Sequence, residues 1–223
     1  MNLTIIIPVY NEGKRAVNTV EAVLKIHDGE VVVVDDGSAD NSFELLTKSF
    51  AGEHQISLLR HAINLGKGAA MKTGAKYAFI KGAQAVLFLD ADGQHNPRYI
   101  PEFRKCLADY PVVFGYRELN KGMPLIRKLG NIFAAHLVNV LFGIKKKDLL
   151  CGYLGFRKEV YEIIKWNSTR YGIETEMATK VGKNKIAFKE LKVDTIYIDK
   201  YKGVSLFDAM KILTQIPYWF FIK

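Results

Sequence analysis

Val86-Leu87-Phe88-Leu89-Asp90-Ala91-Asp92-Gly93-Gln94-His95-Asn96-Pro97 is the stretch whose reading decides the fold. Four apolar residues without polar alternation predict a strand buried on both faces of a parallel sheet, and the acidic cluster falls where that strand ends. In open α/β sheets ligands bind in the crevice outside the carboxyl ends of the strands, so Asp90 and Asp92 are candidate site residues at once. Positions 90, 92 and 94 offer two carboxylates and an amide oxygen, all hard donors at alternate positions. Mg²⁺ or Mn²⁺ takes such donors and keeps positions open for phosphate oxygens. Asp90, Asp92 and Gln94 are therefore the candidate metal ligands, in a site that bridges protein and diphosphate. A solvated acidic turn is the competing reading, and the buried strand in front weighs against it.

Working outward, the same unit repeats. Leu3 to Val9 is an apolar run that stops at Pro8-Val9-Tyr10-Asn11-Glu12-Gly13 and gives way to helical spacing at Val17, Val20, Val23 and Leu24, with Asn11 or Glu12 near the amino-terminal cap. Val31 to Val34 is a second buried strand, ending in Asp35-Asp36-Gly37-Ser38 before a helix with Phe43, Leu46 and Phe50. A third strand, Ile56 to Leu59, leads through Asn64-Leu65-Gly66-Lys67-Gly68 to a helix carrying Met71, Ala75, Ala78 and Phe79. After Pro97, Ile100 to Leu107 reads as a helix and Val112 to Gly115 as a fifth strand. This alternation predicts an α/β fold with a parallel sheet and helices on both faces. The second half reads differently: a long helix from Pro124 to Phe142, a short aromatic strand from Cys151 to Phe156, and a helix around Val160 to Ile164. An acidic helix holding Glu174 and Glu176 follows, then strands near 186–188 and 193–197, a last helix from Leu206 to Leu213, and an aromatic tail from Pro217.

With 223 residues the chain suits one domain, with residues 1–117 as one half and 118–223 as a smaller extension. The net charge of +9 fits nucleic acid, anionic lipid or a phosphorylated substrate. No zinc-finger spacing, RNA-recognition signature or basic zipper is present, which argues against nucleic acid. Cys106 and Cys151 lack paired spacing, and the amino terminus enters a strand almost at once, so a reducing, cytosolic side is expected. No apolar run reaches the roughly 18 residues of a spanning helix.

Gly66-x-Gly68 is not a dinucleotide fingerprint, because the third glycine position holds Met71, and no P-loop string exists. The paired carboxylates Asp35 and Asp36 are costly at a strand end unless donors or a cation offset them, and a carboxylate there accepts from a base N–H or a ribose hydroxyl. Glu174 and Glu176, two apart on a helix, cannot share a face, so at most one points into the crevice. Arg117, Arg127 and Lys202 are single cations. The five histidines are scattered, and only His95 lies near the acid cluster, behind the ligands.

With these residues in place, the chain resembles a family 2 glycosyltransferase of the GT-A fold, most of all the polyprenyl- or dolichyl-phosphate hexose synthases. Ile7-Pro8-Val9-Tyr10-Asn11-Glu12, Val34-Asp35-Asp36-Gly37-Ser38, Asn64-Leu65-Gly66-Lys67-Gly68 and Asp90-Ala91-Asp92-Gly93-Gln94 resemble the family's successive motifs. Gly115-Tyr116-Arg117, Arg127, Asp148 to Tyr153, Glu174 to Met177 and Tyr201 to Ser205 follow in the family's order. The resemblance implies a Rossmann-like, mostly parallel sheet and a nucleotide diphosphate sugar, of GDP-mannose or UDP-glucose type, held by Pro8, Tyr10, Glu12, Asp35, Asp36, Lys67 and Asp90. It implies Mg²⁺ or Mn²⁺ on Asp90, Asp92 and Gln94, and a polyprenyl or dolichyl phosphate near Arg127, Lys202, Glu174 and Glu176. Asp92, Arg117 and Arg127 carry the implied reaction, an inverting hexosyl transfer. A sugar-hydroxyl acceptor, with Glu174 or Glu176 as base, and a non-catalytic nucleotide-sugar-binding module are the alternatives. Many members of the family carry carboxy-terminal transmembrane helices, whereas this sequence stops after one aromatic-ended helix. A lipid acceptor then requires peripheral contact with the cytoplasmic face of a membrane, through Asn131 to Phe142 and the Tyr218 to Ile222 tail. Core packing plus a homodimer interface is the other use for those faces.

Overall fold

The computed structural model describes residues 1–118, 125–170, 172–194 and 206–221, without the side chains of 125–129, 131 and 206–213. Strands β1 (Leu3–Val9), β2 (Val31–Asp35), β3 (Ile56–Arg60), β4 (Ala85–Phe88), β5 (Val112–Tyr116), β6 (Leu154–Arg157) and β7 (Phe188–Lys192) form one sheet in the order β3-β2-β1-β4-β6-β5-β7. Only β6 runs antiparallel to its neighbours, and it does so against both β4 and β5, which leaves those two parallel to each other. The carboxyl ends of β1, β2, β4 and β5 and the amino end of β6 therefore open on one edge. That edge collects the polar residues discussed below. Strands from both halves of the chain share this sheet, with β6 and β7 built from the second half.

The continuous apolar runs are buried on both faces, as Val31 to Val34 and Ala85 to Leu89 show. Helices α1 (Lys14–Leu24), α2 (Ser42–Ser49) and α4 (Ile100–Asp109) cover one face through Val17, Val20, Leu46, Phe103 and Leu107. The other face takes α3 (Lys67–Ile80), α5 (Leu125–Phe142), α6 (Tyr161–Ile164), α7 (Ile173–Lys183) and α8 (Leu206–Phe221), through residues such as Met71, Val138, Ile164, Met177 and Ile216. Burial at this scale is worth about 1.5–3 kcal/mol for each large side chain.

Several boundaries differ from the sequence expectation, each for a physical reason. The strand expected near 186–188 runs instead over Phe188–Lys192 and pairs with β5; most of the strand expected at 193–197 lies outside the described residues. An edge strand tolerates Lys189, Glu190 and Lys192, so it lacks the apolar run that marks a central one. The strand expected at Cys151 to Phe156 begins at Leu154, because Cys151 to Tyr153 leave the ladder and pass over the site. The last helix runs on to Phe221 through Pro217, past the expected stop at Leu213. Ile216 is buried and Phe220 meets Phe142 edge-on at 5.8 Å, so packing holds that turn despite the proline. Neither Asn11 nor Glu12 caps α1: Ser42 Oγ accepts from the amides of Glu12 and Gly13 at 3.0 and 2.7 Å. Among the described residues no helix is long and apolar enough to cross a membrane.

Candidate active site

At the carboxyl end of β4 the chain turns through Asp90 and Asp92. Lys67, in the first turn of α3, reaches across so that its Nζ lies 2.8 Å from Asp90 Oδ1 and 3.2 Å from Glu174 Oε1 on α7. Burial alone raises the Asp90 carboxyl, but the Lys67 ammonium outweighs it and holds the group ionised, at about 2. The lysine shifts the other way. Burial lowers its pKa and the two carboxylates raise it further, so it stays a cation. Gly152 passes directly over this cluster: a Cβ there would lie 2.8 Å from Lys67 Nζ, 3.0 Å from Asp90 Oδ2 and 3.3 Å from Glu174 Oε1. Its missing side chain is what lets the backbone approach.

Two further carboxylates hold the turn that carries Lys67. Asp36 accepts from the amides of Leu65 and Gly66 at 3.0 and 2.7 Å and from His61 Nδ1 at 2.7 Å. Glu176 accepts from the amides of Asn167 and Ser168, both at 2.8 Å, and from Ser168 Oγ at 2.6 Å. The loop so fixed returns the favour through Thr169 O, which accepts from Gly68 N at 2.7 Å, while Trp166 Nε1 donates to Gly68 O at 2.9 Å. Gly66 sits at φ +98°, and a Cβ on it would strike Thr169 O at 2.3 Å, so only glycine fits this contact. Glu174 and Glu176 thus divide as their spacing requires, one toward the crevice and one toward the loop. Both are buried, against the alternative that both lie on the surface.

Arg117 follows β5. Its Nε and Nη2 donate to Asp148 Oδ2 and Oδ1 at 2.6 and 3.1 Å, and its amide donates to Oδ2 at 3.3 Å. Asp148 is fully buried, and although burial raises its carboxyl, the guanidinium brings it below the usual carboxylate range. A two-pronged pair of this kind fixes the plane of the guanidinium.

At the other end of the crevice, Asp35 pairs in register with Val9 on β1 and with Arg60 on β3. Its Oδ2 meets Arg60 Nε at 3.3 Å and accepts from the Ser38 amide at 3.3 Å, while Oδ1 is buried without a partner. A buried, unpartnered carboxylate oxygen calls for a donor from a ligand. Asp36, by contrast, is engaged with His61 and the 65–66 amides, which makes it the support of the loop. Tyr10 is exposed beyond β1, Pro8 is half-buried within it, and Glu12 pairs with Arg15 at 3.3 Å.

The donor set fits a divalent cation. Asp92 Oδ1 accepts from the Gln94 amide at 3.0 Å, which shapes the turn, and Asp90, Asp92 and the Gln94 side chain are all hard-oxygen groups on it. Among the described residues no group of three or more His, Cys, Asp or Glu side chains is placed to hold a metal ion, so a cation here would rest on the two carboxylates and the Gln94 amide oxygen. His95, which sequence reasoning left in the background, clamps the turn. Its Nδ1 accepts from the Asp90 amide at 3.1 Å, burial lowers its pKa, and its ring stacks on Tyr153 at 4.9 Å. Asp36, Asp148 and Gly152 fall within motifs that the sequence shows, but the contacts they make do not, since each depends on a partner far along the chain. Arg127 lies in α5 with its side chain undescribed, and Lys202 lies outside the described residues.

A mostly parallel sheet of this order, with an Asp-x-Asp turn after its central strand and a lysine from the preceding helix on that turn, is a glycosyltransferase architecture of the GT-A kind. The Glycosyl transferase family 2 profile matches residues 4–164, and the chain belongs to that family. It is 28% identical to the UDP-N-acetylglucosamine–dolichyl-phosphate N-acetylglucosaminyltransferase of Methanococcus voltae, over 95% of this chain and 93% of that one. It is 23% identical to the undecaprenyl-phosphate mannosyltransferase of Micrococcus luteus, over 92% of this chain and 87% of that one. The glucosyl-3-phosphoglycerate synthase of Mycobacterium tuberculosis, solved with Mn²⁺, UDP and glucosyl-3-phosphoglycerate, shares the fold with a TM-score of 0.72 at 16% identity, over 100% of this chain and 81% of that one.

Proposed function

We propose that this glycosyltransferase moves a hexosyl group from a nucleotide diphosphate sugar to a polyprenyl phosphate, with inversion at the anomeric carbon. The observation that carries the reading is the Lys67–Asp90–Glu174 cluster beside the bare backbone of Gly152, a cation and two carboxylates gathered at the carboxyl edge of the sheet. The buried Asp35 Oδ1 offers an acceptor to the nucleoside end of such a donor. Relatives named for dolichyl phosphate and undecaprenyl phosphate support the lipid phosphate as acceptor.

In the reaction an oxygen of the acceptor phosphate forms a bond to the anomeric carbon, the bond from that carbon to the β-phosphate oxygen breaks, and the nucleoside diphosphate departs with the electron pair. A phosphate monoester is anionic at neutral pH and needs no general base. Glu174 and Glu176, the candidate bases for a hydroxyl acceptor, are engaged by Lys67 and by the 167–168 loop, which favours the phosphate. The remaining problem is bringing two anions together. Arg117, oriented by Asp148, faces the acceptor phosphate, and Lys67 faces the diphosphate. Asp90, Asp92 and Gln94 would hold Mg²⁺ or Mn²⁺, which when bound would supply Lewis-acid neutralisation of charge on the leaving diphosphate. The lipid is reached from the membrane surface through exposed apolar residues of α5 and α8.

The test incubates the protein and a polyprenyl phosphate with GDP-mannose, UDP-glucose or UDP-N-acetylglucosamine and Mn²⁺, and follows products by mass spectrometry. A polyprenyl phosphate sugar and a nucleoside diphosphate in equal amounts, both lost in Asp92→Asn, are expected. Nucleoside diphosphate released alongside a glycosylated hydroxyl acceptor, with the lipid untouched, would overturn the reading.

A further inference from the structure

Residues 144–148 alternate inward and outward: Ile144, Lys146 and Asp148 are buried, whereas Lys145 and Lys147 are exposed. The middle lysine is the anomaly. Lys146 is 6% exposed, and its Nζ is buried with no hydrogen-bond partner. It lies over the face of Phe114 on β5, 3.6 Å from the ring centroid. An ammonium taken out of water without an acceptor is costly, and a cation–π contact offsets only part of that cost. The groups around it are Asp148 and Cys151 on its own segment, Glu190 on β7 and Glu174 on α7. Two of these, Asp148 and Glu174, are the carboxylates that engage Arg117 and Lys67. Lys146 thus shares the influence of the carboxylates that engage both cationic ends of the crevice, while its own Nζ has no hydrogen-bond partner.

We propose that Lys146 is an acceptor-binding residue: its ammonium leaves the ring of Phe114 and donates to the phosphate of the acceptor beside Arg117. The inference rests on the phosphate-acceptor reading above. The side chain suits the task because its four-carbon stem lets Nζ move while the backbone stays put, and a dianion supplies the acceptors that the buried ammonium lacks. Burial lowers the pKa of Lys146, while the carboxylates of Asp148, Glu190 and Glu174 raise it in part, leaving about 8. Cys151 itself is pushed up to about 12, so it stays a neutral thiol near neutral pH.

The experiment compares Lys146→Met and Lys146→Arg with the wild type, using farnesyl phosphate as acceptor and, separately, inorganic phosphate in thermal melts. In Lys146→Met the acceptor KM is expected to rise about tenfold or more while the donor KM holds, with Lys146→Arg in between. The free variant should melt no lower than the wild type, because an unpartnered buried charge is gone, yet gain less protection from phosphate. An unchanged acceptor KM, or an equal loss of donor and acceptor, overturns the assignment. Should Lys146→Met fail to fold, the wild type answers alone: phosphate protection should weaken above about pH 8, where Lys146 loses its proton, and protection that stays level to about pH 9.5 overturns the proposal. If the wild type turns over no farnesyl phosphate but Lys146→Met still loses phosphate protection, the anion site stands and the acceptor reading falls.

Discussion

Lys67 Nζ and Asp90 Oδ1 lie 2.8 Å apart, although one side chain begins α3 and the other ends β4. The lysine offsets the carboxylate in the free protein, and on the proposed function it would face the diphosphate, so its removal should act on both. In Lys67→Met we expect turnover to fall by about a hundredfold or more, as when a charge-stabilising donor is lost. Nucleoside diphosphate affinity, measured by calorimetry with Mn²⁺, should fall as well. Full turnover in this variant would reduce Lys67 to a counter-charge for Asp90.

Gly152→Ala offers a lesion of function without one of folding. The added Cβ meets only side-chain ends, Lys67 Nζ at 2.8 Å and Asp90 Oδ2 at 3.0 Å, and both can move aside. We expect a melting temperature that shifts by no more than about 1 kcal/mol of stability allows, with a loss of activity many times larger than that shift suggests. Activity and melts that fall in proportion would point to a folding defect instead.

The contrast between Glu174 and Glu176 shows how far the sequence could be read. Spacing alone says that two helical glutamates two apart face different ways, and the buried runs at Val31 and Ala85 say where strands end and where carboxylates gather. Which glutamate faces the crevice depends on Ser168 and Lys67, and no local pattern records those contacts. For the same reason the sequence reads Asp36 as a candidate ligand without showing that it also holds His61 and the 65–66 amides. Strand β7 hid because an edge strand can be charged, and the end of α8 hid because Pro217 looks like a stop.

Acid should loosen the site before it loosens the sheet. The pKa of Glu176 is raised by burial but brought below its usual 4.5 by Ser168, Asn167 and Lys180, and Asp148 lies below its usual 3.8. A depressed folded pKa contributes stability that is present above the unfolded value and lost as pH falls from there through the folded one, so Glu176's contribution fades below about pH 4.5 and Asp148's below about pH 3.8. Glu176→Gln should cost about 2–4 kcal/mol, because one amide oxygen cannot serve three donors and the new NH₂ faces an N–H. Urea melts at neutral and acid pH test this: the variant should lose the part of the wild type's acid sensitivity that Glu176 supplies, and identical pH slopes would discard the assignment.

The last prediction concerns the lipid. Ile132, Phe133 and Val140 on α5 are 49%, 59% and 65% exposed, and Tyr218 and Phe221 on α8 are 62% and 81% exposed. Phe142, expected on the same outer face, is instead buried against Phe220, and Leu137 and Leu141 are half-buried against the core, so only part of each helix is left for a surface. Exposed Lys145 and Lys147 follow α5, and Lys183 Nζ donates to Phe220 O at 3.3 Å beside α8. Aromatic and aliphatic side chains flanked by lysines suit an interfacial position, and each basic residue near an anionic surface adds about 1 kcal/mol. In liposome flotation the protein should rise with anionic but not neutral vesicles, and less so in high salt. Tyr218→Ser with Phe221→Ser should weaken flotation while leaving the melting temperature close to wild type, since both side chains are largely in solvent. A protein that floats with neither vesicle, and sediments as a dimer that these two changes dissociate, would assign the face to a second copy of the chain.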